Sequence, residues 1–252
     1  MRASILVTTY RRPEMLAELL AALAPQAARH PVEIIVVDNC PDASGGPVVA
    51  GGSSAAMVRH VHEPRSGVVH VRNRAVAEAV GDYVIFLDDD EVPAPGWLDA
   101  WMAQADGITD AAFGRIVPRL LAPCPPELLR PTLRAFSRDM GASTGSDITA
   151  RSAYVGTGNA MFHRMRCFAH EAPFDLRFNA RGGEDVWLIR ALVRRGLRLL
   201  WNREALVEEL VPASRMTLAA ALTRRFNQGQ LRAILFFGDG GLSEMLTVFT
   251  WI

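Results

Sequence analysis

The stretch 83–91 constrains this chain more than any other. Tyr83-Val84-Ile85-Phe86-Leu87 is uninterruptedly apolar, and Asp88, Asp89, Asp90 and Glu91 follow at once. A short apolar run of aromatic and β-branched residues reads as a buried strand. Consecutive acids repel one another and are costly to desolvate unless a cation or polar ligand compensates. At the end of a parallel strand they would project into the crevice where open α/β sheets bind ligands. Carboxylate oxygens suit Mg²⁺ and Mn²⁺, so the stretch reads as a metal site serving a phosphate-bearing substrate. The alternative is an acidic turn leading into Pro93 and Pro95.

The flanking sequence supplies the rest of such a sheet. Ser4 to Val7 reads as a buried strand, and Met15, Leu16, Leu19, Leu20 and Leu23 recur at helical spacing after Pro13, a residue suited to a first helical turn. Val32 to Val37 is a second apolar strand ending at Asp38-Asn39, and Val58 to His62 a short third one. Residues 41–56, rich in Pro, Gly, Ser and Ala, read as a loop or weak helix. Val71 to Ala79 and Pro95 to Ala105 have helical character. Alternating strands and helices imply parallel strands joined by right-handed crossovers.

After about residue 115 the rhythm changes. Five prolines (Pro118, Pro123, Pro125, Pro126 and Pro131) precede the polar stretch Gly141 to Thr149, which together read as a partly mobile excursion. Glu184 to Arg195 predicts a helix stopped by Gly196, Leu197 to Trp201 a short strand, and Thr217 to Phe226 a further helix. The apolar tail from Leu231 to Ile252 admits three readings: a core helix, a membrane-surface helix or the stump of a longer chain. The expected division falls into 1–115, 116–230 and the tail 231–252.

At 252 residues the chain has room for one large α/β domain or two small lobes. Lys+Arg and Asp+Glu are 27 each, which argues against the basic field that non-specific nucleic-acid binding needs. Cys40, Cys124 and Cys167 show neither CxxC spacing nor a disulfide framework, as suits a reducing cytosol. The N-terminus enters directly into a strand-like run, so no signal peptide is expected, and no stretch has the length of a clean membrane span. The chain carries no HExxH or Walker lysine motif, and no Gly-rich dinucleotide fingerprint follows the first strand.

Three groups of acids recur where this architecture would bring them together: Asp38, Asp88 to Asp90, and Glu184-Asp185 after Gly182-Gly183. Asp38 also fits a plain turn, and Glu184-Asp185 fit simple complementarity to a helix dipole. Arg72-Asn73-Arg74 at a helix start would meet a diphosphate or form a solvated helix face. His60 and His62 alternate on a strand and read as residues of one half-exposed face rather than a metal pair.

Taken jointly, these pieces resemble glycosyltransferase family 2. They are 5–13 (ILVTTYRRP), Val36-Val37-Asp38-Asn39, Gly67 through Arg72-Asn73-Arg74-Ala75, 81–91 (GDYVIFLDDDE) and Gly182-Gly183-Glu184-Asp185. His62-Glu63-Pro64, Thr157-Gly158-Asn159, Val211-Pro212, Arg215 and Arg224-Arg225 resemble the branch that builds bacterial exopolysaccharides of the succinoglycan type. The resemblance implies a GT-A fold: a Rossmann-like, mostly parallel central sheet flanked by helices, with a C-terminal acceptor-binding part.

It also implies roles. Thr8, Thr9 and Asp38 would hold the nucleotide base, with Tyr10, Arg12 and Asp89 in the same nucleotide-sugar site. Arg72 would lie near the base or diphosphate, and Asp88 near the ribose or sugar. Asp90 would bind Mn²⁺ or Mg²⁺, with Glu209 or water where many relatives of the fold supply a late histidine. Asp185 would be the general base, Glu184 would orient the acceptor, and Arg215 and Arg225 would close over the diphosphate. The donor implied is a UDP-sugar, and the acceptor a glycan or lipid-linked saccharide, with no nucleic-acid partner. The expected location is cytoplasmic, with peripheral contact at the inner membrane face. Acceptor specificity is expected in the Pro-rich excursion and near Thr157-Gly158-Asn159. Two rivals are a sugar-1-phosphate nucleotidyltransferase, whose Gly-rich basic loop residues 8–12 do not supply, and a catalytically silent nucleotide-sugar or glycan-binding module.

Overall fold

The computed structural model describes residues 2–52, 57–169, 172–180, 182–224 and 226. The expected tail 231–252 and Arg225 lie outside the described residues. In chain order the elements are β1 (Ala3–Thr9), α1 (Pro13–Ala27), β2 (Val32–Asp38), α2 (Gly45–Gly51), β3 (Met57–His62), α3 (Val68–Glu78) and β4 (Tyr83–Asp88). β5 (Glu91–Pro93), α4 (Trp97–Gln104), β6 (Ala111–Leu120), α5 (Pro126–Ala135), β7 (Ala160–His163), α6 (Arg164–Cys167), α7 (Glu184–Arg194) and β8 (Leu199–Val211) follow. Residues 218–224 are helical, in the expected last helix.

These strands form one eight-stranded sheet of order β3-β2-β1-β4-β7-β6-β8-β5. The first four are mutually parallel, as the strand–helix alternation predicts. Their apolar runs are continuous because both sheet faces are covered. Successive side chains point to opposite faces. Leu6, Ile35, Val37, Val84 and Phe86 pack with α3 and α7 residues such as Val69, Ala75, Leu188 and Leu192. Ile5, Val7, Ile34, Val36, Ile85 and Leu87 pack against α1 and α4 through Leu16, Leu19, Leu23, Trp97 and Trp101. Each fully buried leucine contributes roughly 1.5–3 kcal/mol over its exposed state.

The second half departs more from its sequence. β6 was hidden by Ala111, Ala112, Gly114 and Pro118, residues of low strand propensity. β8 continues well past Trp201, where the polar Asn202-Arg203-Glu204 looks like a turn. There the ladder jumps from Gly114↔Asn202 to Arg115↔Leu206. Residues 203–205 form a bulge, closed by the Ala205 N–H donating to Asn202 Oδ1 at 3.0 Å. The Pro-rich region holds α5, with Pro126 in its first turn. The polar stretch after it is tied to β8, since Gly145 N donates to Trp201 O at 2.8 Å and Ile148 N to Leu199 O at 2.8 Å. Among the described residues, no helix is long and apolar enough to cross a membrane.

Candidate active site

A cleft of about 830 Å³ opens at the carboxyl ends of β1 and β4. Its position follows from the parallel register, in which Thr8 pairs with Asp88. The chain after each strand therefore enters the same crevice. Thr9 Oγ1 donates to Asp89 Oδ2 at 3.0 Å, and the Tyr10 N–H donates to the same oxygen at 3.2 Å. Arg12 Nη1 donates to Asp89 Oδ1 at 2.7 Å and to Asp90 Oδ2 at 3.0 Å. Burial pushes the Asp89 carboxyl up to about 6, against the pull of Arg12. Thr8 Oγ1 lies 3.5 Å from Asp88 Oδ1, and Asp88 faces the cleft with 40% of its side chain exposed.

A second strand pairing completes the acid cluster. β5 runs antiparallel to β8 with Glu91 opposite Glu209, and Leu210 N donates to Asp90 O at 2.7 Å. Glu209 is thereby set beside Asp90. Arg215 Nη1 donates to Asp90 Oδ2 at 2.8 Å and lies 3.7 Å from Glu209 Oε1. Arg224 donates to both Glu209 oxygens, at 3.2 and 3.4 Å, while its guanidinium stacks over Phe136. Burial raises the Glu209 carboxyl to about 7, opposed first by Arg224. Glu91, also buried, accepts the Asp88 N–H at 3.1 Å. Burial, then the Asp88 charge, holds its carboxyl well above the ordinary range.

Across the cleft, α7 begins after Gly183 with Glu184 and Asp185 in its first turn. Asp185 lines the cleft, and its Oδ1 accepts the Val186 N–H at 2.7 Å. Its Oδ2 points at Gly156, where an added Cβ would stand only 2.6 Å away. Glu184 turns inward and is ion-paired with Arg72 Nη1, while Arg72 Nη2 lies 3.8 Å from Asp88 Oδ1. Burial raises the Glu184 carboxyl, with Arg72 opposing.

Most of the expected nucleotide-sugar residues therefore surround one cleft: Thr8, Thr9, Tyr10, Arg12, Arg72, Asp88, Asp89 and Arg215, together with Asp90, Glu209 and Asp185. Two expected residues stand behind it. Asp38 is fully buried and accepts the N–H groups of Cys40 at 2.8 Å and Gly45 at 2.6 Å. Burial works to raise its carboxyl, but the hydrogen bonds prevail and hold it below the ordinary range. Asn39, its neighbour, lines the cleft instead. Glu184 buttresses Arg72 from behind. Arg74, in the same helical turn as Arg72, pairs with Glu78. His62 Nε2 lies 2.8 Å from Cys40 O and His60 Nε2 3.3 Å from Asp38 Oδ2, so both are strand residues, as expected.

Arg138 escaped the sequence reading. It lines the cleft floor, and its guanidinium bonds only to backbone carbonyls among the described residues. Burial lowers its pKa to about 10, with Glu91 and Asp88 pulling the other way, so it stays charged at neutral pH.

Carboxylates from Asp88, Asp90 and Glu209 around one cleft are the donor chemistry that hard divalent cations prefer. Arg215 Nη1 already stands as a cation between Asp90 and Glu209, so the residues fit a divalent ion. Among the described residues, no three acids or histidines converge at coordination distance.

The sequence model for glycosyl transferase family 2 matches residues 4–123. The succinoglycan biosynthesis protein ExoM of Rhizobium meliloti (strain 1021) is 33% identical over 230 residues, 89% of this chain and 72% of that protein. The chain belongs to glycosyltransferase family 2. Solved structures show the same GT-A fold. Staphylococcus aureus TarS 1–349 in complex with UDP superposes with a TM-score of 0.64 at 19% identity, covering 84% of this chain and 61% of that one. The mannosyltransferase PcManGT of Pyrobaculum calidifontis, in complex with GDP-Man and Mn²⁺, gives 0.66 at 21% identity, covering 95% and 65%. This family 2 chain thus spans less than two thirds of the length of those two structures.

Proposed function

We propose that this family 2 glycosyltransferase moves a hexose from a UDP-sugar to a glycan or lipid-linked saccharide in polysaccharide biosynthesis, with inversion at the anomeric carbon. The observation that carries the reading is the position of Asp185. It faces the acid cluster across the cleft, with Oδ1 held by the Val186 N–H and Oδ2 turned toward Gly156 on the cleft wall. A single displacement needs such a base on the acceptor side. Asp185 takes the proton from the acceptor hydroxyl as its oxygen attacks the anomeric carbon. The bond from that carbon to the diphosphate oxygen breaks, and UDP leaves with the electron pair. A positioned base contributes about 10²–10⁴-fold.

The remaining residues divide between binding and charge. Thr8, Thr9 and Tyr10 would hold the base end, and Asp88 the ribose or sugar. Arg12, Arg72, Arg215 and Arg224 offer bidentate donors to the departing diphosphate. Asp90 and Glu209 would hold Mn²⁺ or Mg²⁺, which when bound neutralises charge on the leaving group. The mannosyltransferase complex with Mn²⁺ supports that assignment, and ExoM supports the polysaccharide setting. A lipid-linked acceptor would place the enzyme at the cytoplasmic face of the membrane, as a peripheral contact.

The test is calorimetric titration of UDP, GDP and dTDP, each with Mn²⁺ and with EDTA. Mn²⁺-dependent binding of UDP alone is expected. Preference for GDP would transfer the donor assignment to GDP-sugars, and absence of all binding would contradict the donor site and favour a silent glycan-binding module.

A further inference from the structure

Arg138 follows α5 and pairs its backbone with Ile116 on β6. Its guanidinium donates through Nε to Gly114 O at 2.9 Å, through Nη1 to Gly156 O at 3.1 Å, and through Nη2 to Gly158 O and Asn159 O, each at 2.7 Å. Three of those four carbonyls belong to the segment 156–159. Asn159 locks its far end. That residue is fully buried, with a left-handed φ of 45°. It accepts the Trp97 indole N–H at 2.8 Å and donates to Ala205 O at 2.8 Å.

The fixed segment touches the reactive acids. Gly156 faces Asp185 Oδ2, and a Cβ on Gly158 would fall 2.7 Å from Glu91 Oε1 and 2.9 Å from Asp88 Oδ2. A displacement of this backbone by a fraction of an ångström would alter the space between the base and the donor sugar, where reactivity is most sensitive to distance. No carboxylate pairs with Arg138 within ion-pair range among the described residues, so its fork of donors is spent on backbone carbonyls, both terminal nitrogens on the 156–159 segment and Nε on Gly114. Lysine has one compact ammonium and cannot reproduce that fork.

We propose that Arg138 is a positioning residue for the acceptor side of the reaction, its guanidinium fixing the 156–159 backbone at the distance from Asp185 and Asp88 that transfer requires. The proposal rests on Asp185 as the base. Donor binding is not expected to depend on Arg138, because its guanidinium bonds only to the carbonyls of Gly114, Gly156, Gly158 and Asn159 and to none of the residues assigned to the nucleotide.

The test uses the full chain with UDP-glucose and Mn²⁺, water serving as acceptor, and follows UDP release. Arg138→Ala should lower kcat at least tenfold while KM for UDP-glucose and the calorimetric affinity for UDP stay within threefold. Methylguanidinium at millimolar concentration should restore part of kcat, and methylammonium, equal in charge, should not. If Arg138→Ala does not fold, Arg138→Lys carries the test: kcat falls at unchanged KM. Unchanged kcat in the lysine variant, equal rescue by both cations, or a loss confined to KM would overturn the proposal. Wild-type protein that binds UDP yet releases none from UDP-glucose would instead count against the transferase reading on which it rests.

Discussion

Arg215 Nη1 sits 2.8 Å from Asp90 Oδ2 and 3.7 Å from Glu209 Oε1, one guanidinium nitrogen between a carboxylate of the β4–β5 turn and one of β8. The same carboxylates are the expected metal ligands, so the arginine and a divalent ion compete for them. Arg215→Ala should therefore act with opposite signs on the two ligands. Mn²⁺ affinity of the nucleotide-free protein should rise several-fold, since a cation in its place is worth about 1 kcal/mol. UDP affinity in Mn²⁺ should fall about tenfold through loss of a charge-assisted contact. Mn²⁺ titration by electron paramagnetic resonance, beside UDP calorimetry, checks both. Movement of both affinities in the same direction would sink the competition.

Gly158 and Gly156 are required by contact. Alanine at 158 would put Cβ 2.7 Å from Glu91 Oε1, and alanine at 156 would put it 2.6 Å from Asp185 Oδ2. Gly158→Ala pushes against a buried acid and should cost about 1–3 kcal/mol of stability along with activity. Gly156→Ala pushes only on the cleft-facing Asp185, so turnover should fall with little change in thermal midpoint. Comparing the two by thermal unfolding and UDP release distinguishes them.

Glu63 makes a pH-dependent contribution away from the cleft. It accepts Arg65 N at 3.0 Å, Nε at 2.8 Å and Nη2 at 2.8 Å. These bonds, against burial, lower its carboxyl to about 2. A folded pKa below the unfolded one gives stability that is present above about 4.5 and lost as pH falls toward 2. Glu63→Gln should cost about 1 kcal/mol near pH 7, discounted for the exposure of Arg65. The gap from wild type should close as denaturation is repeated toward pH 3. A gap that widens on acidification would contradict the assignment.

The parallel half of the fold was legible because β1, β2 and β4 are dense apolar runs bounded by turn residues. The acids at the end of β4 and at the start of α7 were legible for the same reason: polar clusters stand out where periodic apolar patterns stop. The second half was not. β5 and β8 pair across more than a hundred residues, and nothing local marks Glu91 as the partner of Glu209. Glu209 entered only through resemblance to a family position. Arg224 was given no role of its own beforehand, yet it reaches Glu209 through a tertiary contact that sequence does not phase. Arg138 carried no signal at all, because its partners are backbone carbonyls brought together by tertiary structure.

The most direct test of the account is UDP release from UDP-glucose in Mn²⁺ by wild type and Asp185→Asn, with UDP affinity measured on both. Asparagine keeps the shape and the contact to Val186 but cannot accept the proton. The account predicts unchanged UDP affinity and a loss of turnover of about 10²–10⁴-fold. Turnover by Asp185→Asn at the wild-type rate would contradict it.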